Sequence, residues 1–240
     1  MSGAVHVFFT PKELQDSLSG KVAAVIDVLR ATTTIIEALA NGARAVHPTV
    51  DIQEAVELAN RLGRADVLLS GEREARRIDG FDLGNSPREF TPETVAGKVV
   101  VMNTTNGTPA LEAAAGADTC VVAAFANLQA AAEHLAAVGK PIVILCAGRG
   151  GSFSLDDALC AGALVRALRA RGNGPKQFND GAMSALALEQ HFRGRLARVF
   201  SRTAAARQIV DAGLAEDIAY CLKQDRHDLV PIAAGRQITL

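Results

Sequence analysis

Two stretches of the chain, Val22–Leu29 and Pro141–Cys146, read as strands without the alternation of polar and apolar residues that a half-exposed strand requires. Such strands are buried on both faces, which calls for a sheet covered by helices above and below. Further strands are predicted at His6–Phe9, Ala43–Val50, Val67–Ser70, Lys98–Met102 and Thr119–Ala124. Most of them run into a polar loop and then a helical pattern. Thr33–Ala40 stops at Asn41-Gly42, Ile52–Leu62 stops at Gly63, and Asn127–Val138 stops at Gly139. Pro109 suits the first position of a helix capped by Thr108, and Ser154 to about Arg171 forms another. Alternating strands and helices predict an α/β fold, three α/β/α layers around a mostly parallel or mixed sheet. Residues 1–240 are read as a single domain, whose repeating unit leaves room for two similar lobes divided near residues 92–98.

The C-terminal third reads differently. Gly172 to Pro175 is a turn, Asp180–Phe192 and Ser201–Ala212 are amphipathic helices, and Asp217–Leu222 and Leu229–Leu240 are read as short strands. The two helices, with Phe178, Phe192 and Phe200, either complete the core or form a contact with a second copy; core is the commoner use.

Charge removes whole classes of function. Twenty-five Lys and Arg balance twenty-six Asp and Glu, with no Trp and one Tyr. Neither a basic field for nucleic acid or an acidic membrane nor a base-stacking surface is present. No unbroken apolar run reaches about 18 residues, and the N-terminus has no cationic flank, so neither membrane span nor signal peptide is expected. Cys120, Cys146, Cys160 and Cys221 lie far apart in apolar settings, as reduced thiols of a cytoplasmic protein do.

In an open α/β sheet, ligands bind beyond the carboxyl ends of the strands. Four polar loops fall there: Asp27 to Thr34, Ser70 to Arg73, Asn103 to Thr108, and Gly148 to Asp157. They bring acids (Asp27, Glu72, Asp157), arginines (Arg30, Arg73, Arg149), hydroxyls, and the backbone amides of Gly148-Arg149-Gly150-Gly151-Ser152. Mg²⁺ takes oxygen ligands, usually one or two carboxylates plus substrate phosphate, while guanidinium forks and amides ahead of a helix hold anions. Each loop alone has a plainer role: Asp27 as a turn cap, Glu72-Arg73 as a surface pair, Asp156 and Asp157 as acids favoured by the helix dipole. Their joint occurrence favours a divalent cation with a small anionic phosphorylated substrate.

Sharper motifs fail. There is no P-loop, and Phe153 stands where a dinucleotide fingerprint needs its third glycine. The spacing from Cys160 to Arg166 matches a cysteine phosphatase, but the residues between are an apolar helix face. The five histidines show no zinc spacing.

The motifs V-I-D-V-L-R-A-T-T-T (Val25 to Thr34), G-E-R (Gly71 to Arg73), G-F-D-L-G-N-S-P (Gly80 to Pro87), T-T-N-G-T (Thr104 to Thr108) and C-A-G-R-G-G-S-F-S-L-D-D-A-L-C-A-G (Cys146 to Gly162) together resemble the 2-phosphosulfolactate phosphatase family. That resemblance implies an α/β/α fold and Mg²⁺-dependent hydrolysis of 2-phosphosulfolactate to sulfolactate and phosphate, a step of coenzyme M biosynthesis. Residue by residue it points to Asp27, Arg30, Glu72, Arg73, Asn85, Ser86, Asn106, Gly107, Thr108, Gly148, Gly151, Ser154 and Asp157. Asp156 stands where the family often has Glu, which leaves its role open. Asp27, Glu72 and Asp157 are the expected metal ligands; Arg30, Arg73, Arg149 and the Gly148 to Ser152 backbone, including Gly150, are the expected anion holders. Either water attacks phosphorus directly or Asp27 forms an aspartyl phosphate; the D-x-D-x-T pattern is absent, Leu29 standing at its second Asp. The alternatives are a phosphatase of another small phosphorylated hydroxy acid and a non-catalytic anion sensor.

Overall fold

In the computed structural model, which describes residues 3–171 and 175–240, the chain forms an α/β/α sandwich. Its strands are β1 (Ala4–Phe8), β2 (Val22–Ile26), β3 (Ala45–Thr49), β4 (Val67–Arg73), β5 (Arg76–Arg77), β6 (Val99–Asn103), β7 (Thr119–Ala123), β8 (Ile142–Cys146), β9 (Gln177–Phe178), β10 (Ile232–Ala234) and β11 (Gln237–Thr239). The helices are α1 (Ala31–Ala40), α2 (Ile52–Leu62), α3 (Pro92–Val95), α4 (Gly107–Ala113), α5 (Leu128–Val138), α6 (Leu155–Arg169), α7 (Asp180–Phe192), α8 (Leu196–Phe200), α9 (Ala204–Asp211) and α10 (Glu216–Cys221). None of the described helices is long and apolar enough to cross a membrane.

The sheet order is β5-β4-β6-β3-β11-β10-β7-β2-β8-β1-β9. Two parallel plates emerge from it: β4, β6 and β3 on one side, and β7, β2, β8, β1 and β9 on the other. Between them stands the antiparallel hairpin β10–β11, pairing with β7 at Ile232↔Val121 and with β3 at Ile238↔Val46. The sheet is thus mixed, and the stretch read as terminal strands is the seam that joins its plates.

β2 shows why the sequence folds this way. All five of its residues are buried. Val22, Ala24 and Ile26 face a core built with α5, α6 and α7, while Ala23 and Val25 face a second core under α1 and α4. Period-two alternation is present, but both faces are apolar. A third cluster, with Ala55 and Ala59 of α2 against Val67, Leu69 and Val101, closes the far plate. Gly162 lets α6 and α7 approach: a Cβ there would stand 2.7 Å from the Cβ of Glu189. Phe200 is fully buried in the first core, and Phe178 and Phe192 pack against it, so these rings complete the core.

Two expectations are corrected. Asp217–Leu222 is helix α10 rather than a strand: six residues are too few for periodicity to separate the two, and Ile218 and Cys221, three apart, bury one helical face. The helix after β6 begins at Gly107, so Thr108 lies inside it. Its amide is taken by Thr104 Oγ1 at 3.1 Å, while its own hydroxyl receives the Thr104 amide at 3.2 Å. Of the predicted Gly172 to Pro175 turn, residues 172–174 lie outside the described residues.

Candidate active site

Asp27 is the first residue past β2, the strand between β7 and β8, and lies at the larger plate's carboxyl edge. The three threonines after it fasten the loop. Thr32 Oγ1 accepts from the Asp27 amide at 3.0 Å and donates to the Asp27 carbonyl at 2.9 Å. Thr33 and Thr34 donate to the carbonyls of Val28 and Asn85 at 2.9 and 3.0 Å. The carboxylate Oδ1 accepts the Ala31 amide at 3.3 Å, and Oδ2 takes no hydrogen bond among the described residues. A Cβ on Gly107 would stand 2.8 Å from that Oδ2 and collide with Ala31, so only glycine lets the neighbouring loop come this close.

Three more acids meet Asp27 in one cleft. In the first turn of α6, Asp157 accepts the amides of Val28 and Gly148 at 2.9 and 3.1 Å, one on each oxygen. Asp156 accepts from Ser154 Oγ at 2.7 Å through Oδ1. From the end of β4, Glu72 Oε1 accepts the amide and hydroxyl of Thr105 at 2.9 and 2.7 Å, and Oε2 the amide of Ala75 at 3.0 Å. Asn106 Oδ1 receives the Gly150 amide at 2.9 Å and ties the glycine loop across. The enclosed space is about 40 Å³, with Asn85, Thr104, Gly148, Ser154 and, from α9, Ala205, Gln208 and Ile209 on its walls.

The predicted arginines part company here. Arg30 lines the cleft but is 3% exposed, donating to Asp217 Oδ2 and to the Ala75 carbonyl, both at 2.9 Å. Its charge is matched by an Asp217 that is itself buried and also accepts from Ser86 Oγ at 2.7 Å. Arg73 is outside the cleft lining, with one nitrogen on Asn103 Oδ1 at 2.6 Å and another on the Glu72 carbonyl at 2.7 Å. Arg149 is exposed at the rim and reaches Gln208 Oε1 at 3.2 Å.

Burial dominates the electrostatics. It pushes Asp27 up to about 7, reinforced by the charges of Asp156 and Glu72 and opposed by the Ala31 amide. Asp157 is driven well above the carboxylate range by burial and by Asp156 and Asp27. Asp156 is raised by burial, less so because Ser154 and the nearby Arg149 favour its charge. Burial also raises Cys160 far above its ordinary value, leaving an inert thiol.

Among the described residues, no three His, Cys, Asp or Glu side chains form a ready metal cage. Glu72 Oε1 accepts two hydrogen bonds, while Glu72 Oε2 and both oxygens of Asp157 accept one each and keep a lone pair. Asp27 Oδ2 and Asp156 Oδ2 accept no hydrogen bond from another residue among the described ones. Asn85, buried in the wall, has an Oδ1 with no hydrogen-bond partner among the described residues. An oxygen-only set of one or two carboxylates suits a hard cation that keeps waters and shares substrate oxygens.

Of the sequence-derived residues, Asp27, Arg30, Glu72, Asn85, Asn106, Gly148, Arg149, Ser154 and Asp157 line the cleft. Arg73, Ser86, Gly107, Thr108, Gly150 and Gly151 stand behind or beside it. Sequence reasoning missed Asp217, Thr104 and Gln208. Thr104 could have been found as the first hydroxyl past β6; nothing in the short α9 and α10 patterns marks the other two.

The chain is similar to known proteins along nearly its whole length. The family model described as 2-phosphosulpholactate phosphatase matches residues 8–236. A protein of Clostridium perfringens, described as a "probable 2-phosphosulfolactate phosphatase", is 43% identical over 218 residues, covering 90% of this chain and 87% of its own. One of Symbiobacterium thermophilum with the same description is 39% identical over 225 residues, 94% of this chain and 96% of its own. Another, of Caldanaerobacter subterraneus subsp. tengcongensis, is 39% identical over 214 residues, 89% and 88%. With its cleft at the strand ends and the match running almost end to end, the chain belongs to the 2-phosphosulfolactate phosphatase family of phosphoric monoester hydrolases.

Proposed function

We propose that this chain hydrolyses 2-phosphosulfolactate to sulfolactate and phosphate with Mg²⁺, in the cytoplasm, as the step the resemblance places in coenzyme M biosynthesis. The observation that carries this reading is the crowding of Asp27, Glu72, Asp156 and Asp157 around one cleft whose buried arginine, Arg30, is already matched by Asp217, while Arg149 stands exposed at the rim. Four acids so placed repel a polyanionic substrate unless a cation stands between them. Asp27 Oδ2 and Asp156 would hold that ion, with Asp157 and Glu72 orienting the loops that carry them. Bound there, Mg²⁺ supplies charge stabilisation at the phosphoryl oxygens.

The chain's own residues do the rest. Asp157 clamps the amides of Val28 and Gly148, fixing the Asp27 loop against the glycine loop. Asp27 and Asp157 are themselves buried, 6% and 2% exposed, so bulk solvent meets little of this wall. We assign Asp27 to holding the ion and orienting the phosphoryl group, with water as the attacking group; recovery of a phosphorylated Asp27 peptide after quenching would overturn that assignment.

Phosphate release from 2-phosphosulfolactate is the test. It should require Mg²⁺ and stop on chelation. Absence of release with any divalent cation would defeat the reading and favour an anion sensor.

A further inference from the structure

Beside the acidic cleft, and sharing Arg149, Ser154, Asp156 and Ala205 with its wall, lies a second and far larger one of about 660 Å³. Arg195, Arg198 and Arg202 line it, with Phe153, Phe192 and Val199 supplying apolar wall. We propose that this outer cleft recognises the non-phosphate acidic groups of the substrate, and that Arg195, Arg198 and Arg202 set the preference for phosphomonoesters bearing a further carboxylate or sulfonate. The inference rests on the phosphatase reading above and names the specificity residues of that same site.

Three observations carry it. The first is space. By the room a water needs, roughly 10–15 Å³ of such volume, the inner 40 Å³ takes about three water-sized groups. That suits phosphoryl oxygens, and a three-carbon acid attached to them must extend outward. The second is charge. Among the described residues Arg195, Arg198 and Arg202 form no ion pair, whereas Arg30 is matched by Asp217. An anion entering the outer cleft therefore meets uncompensated guanidinium forks, the donors that fit carboxylate and sulfonate oxygens.

The third is placement. Arg195 caps α8, Arg198 lies within it and Arg202 follows its C-terminal cap, and all three line the same cleft. Arg195 is held in place by donating to the His191 carbonyl at 2.8 Å and lies over the Phe192 ring, 5.9 Å from its centroid. Arg149, at the boundary, acts on Asp156 and links the two clefts. The division of labour is acids with cation inside, arginines with acid groups outside.

The test compares wild type with Arg198→Ala/Arg202→Ala and with Arg198→Lys/Arg202→Lys. All three are checked by thermal melting, which exposed positions should not shift. The first readout is the ratio of kcat/KM for 2-phosphosulfolactate to that for glycerol 2-phosphate, which lacks other acid groups. The alanine pair should lower this ratio at least tenfold through KM, and the lysine pair should restore part of it. A ratio within twofold of wild type overturns the proposal. The second readout needs no turnover: titration calorimetry with sulfolactate. Binding to wild type that weakens at least tenfold in the alanine pair and fades with added salt supports the assignment, even if phosphate release fails and the phosphatase reading with it. Equal binding by both proteins, or none by wild type, overturns it.

Discussion

Asp27→Asn separates catalysis from stability. The change keeps the shape while removing a charge that burial already disfavours, so activity should fall by about two orders of magnitude or more with the melting temperature unchanged or raised. Phosphate release and a melting curve on the same sample check both halves; a variant with near-normal turnover would take Asp27 out of the chemistry. Asp217 behaves in the opposite way. Its partner Arg30 is buried with it, and Asp217→Ala leaves a guanidinium uncompensated, a loss of about 3–5 kcal/mol in denaturant unfolding. What was legible at this scale was the set of polar residues at or just past strand ends, Asp27, Glu72, Asn106 and Gly148; their meeting was not, because three antiparallel pairings between β3 and β7 turn the strands of the two plates in opposite directions. What was not legible was which arginines keep free charge. That depends on acids far off in the chain, Asp217 for Arg30, which no local pattern reveals.

Among the elements, the seam hairpin matters more than its length suggests. Ile238 is fully buried at the one bridged position between β11 and β3, so Ile238→Ala should cost about 2–5 kcal/mol. Hydrogen exchange would locate the damage: β3 and β7 should lose protection while β8, flanked by β2 and β1, keeps it. Uniform loss across the sheet would contradict a seam. Strands such as Pro141–Cys146 and helices such as Ile52–Leu62 were readable because each carries a full apolar pattern bounded by glycine or proline. α10 was not, since its six residues take their helical form from packing. The position of β10 and β11 between two plates was equally hidden, because pairing partners more than a hundred residues distant leave no trace in local alternation.

For the whole molecule, the buried acids set a pH dependence. Asp27, Asp156 and Asp157 all have folded values raised above those of the unfolded chain. The stability they contribute is present in full below about pH 4, the ordinary Asp value, and drains away as pH rises toward 7. His47 and His227, lowered by partial burial, act in the reverse sense but are only half enclosed. Melting temperature without divalent cation should therefore fall between about pH 5 and 8, and added Mg²⁺ should raise it most at the alkaline end. A flat profile, or equal effect of Mg²⁺ at all pH values, would count against a cation among these carboxylates.

The two plates also make the active site a pair of jaws. Glu72 and Thr104 ride on the small plate; Asp27, Gly148 and Asp157 ride on the large one. Two strands of three residues each hold the gap, spanned nearer the cleft by such ties as Gly150 to Asn106. Bite is thereby set at a distance, by a hairpin that lines no part of the cleft. Loosening it at Ile238 should raise KM for the phosphorylated acid as well as lower stability, which steady-state kinetics at a temperature where the variant stays folded would show.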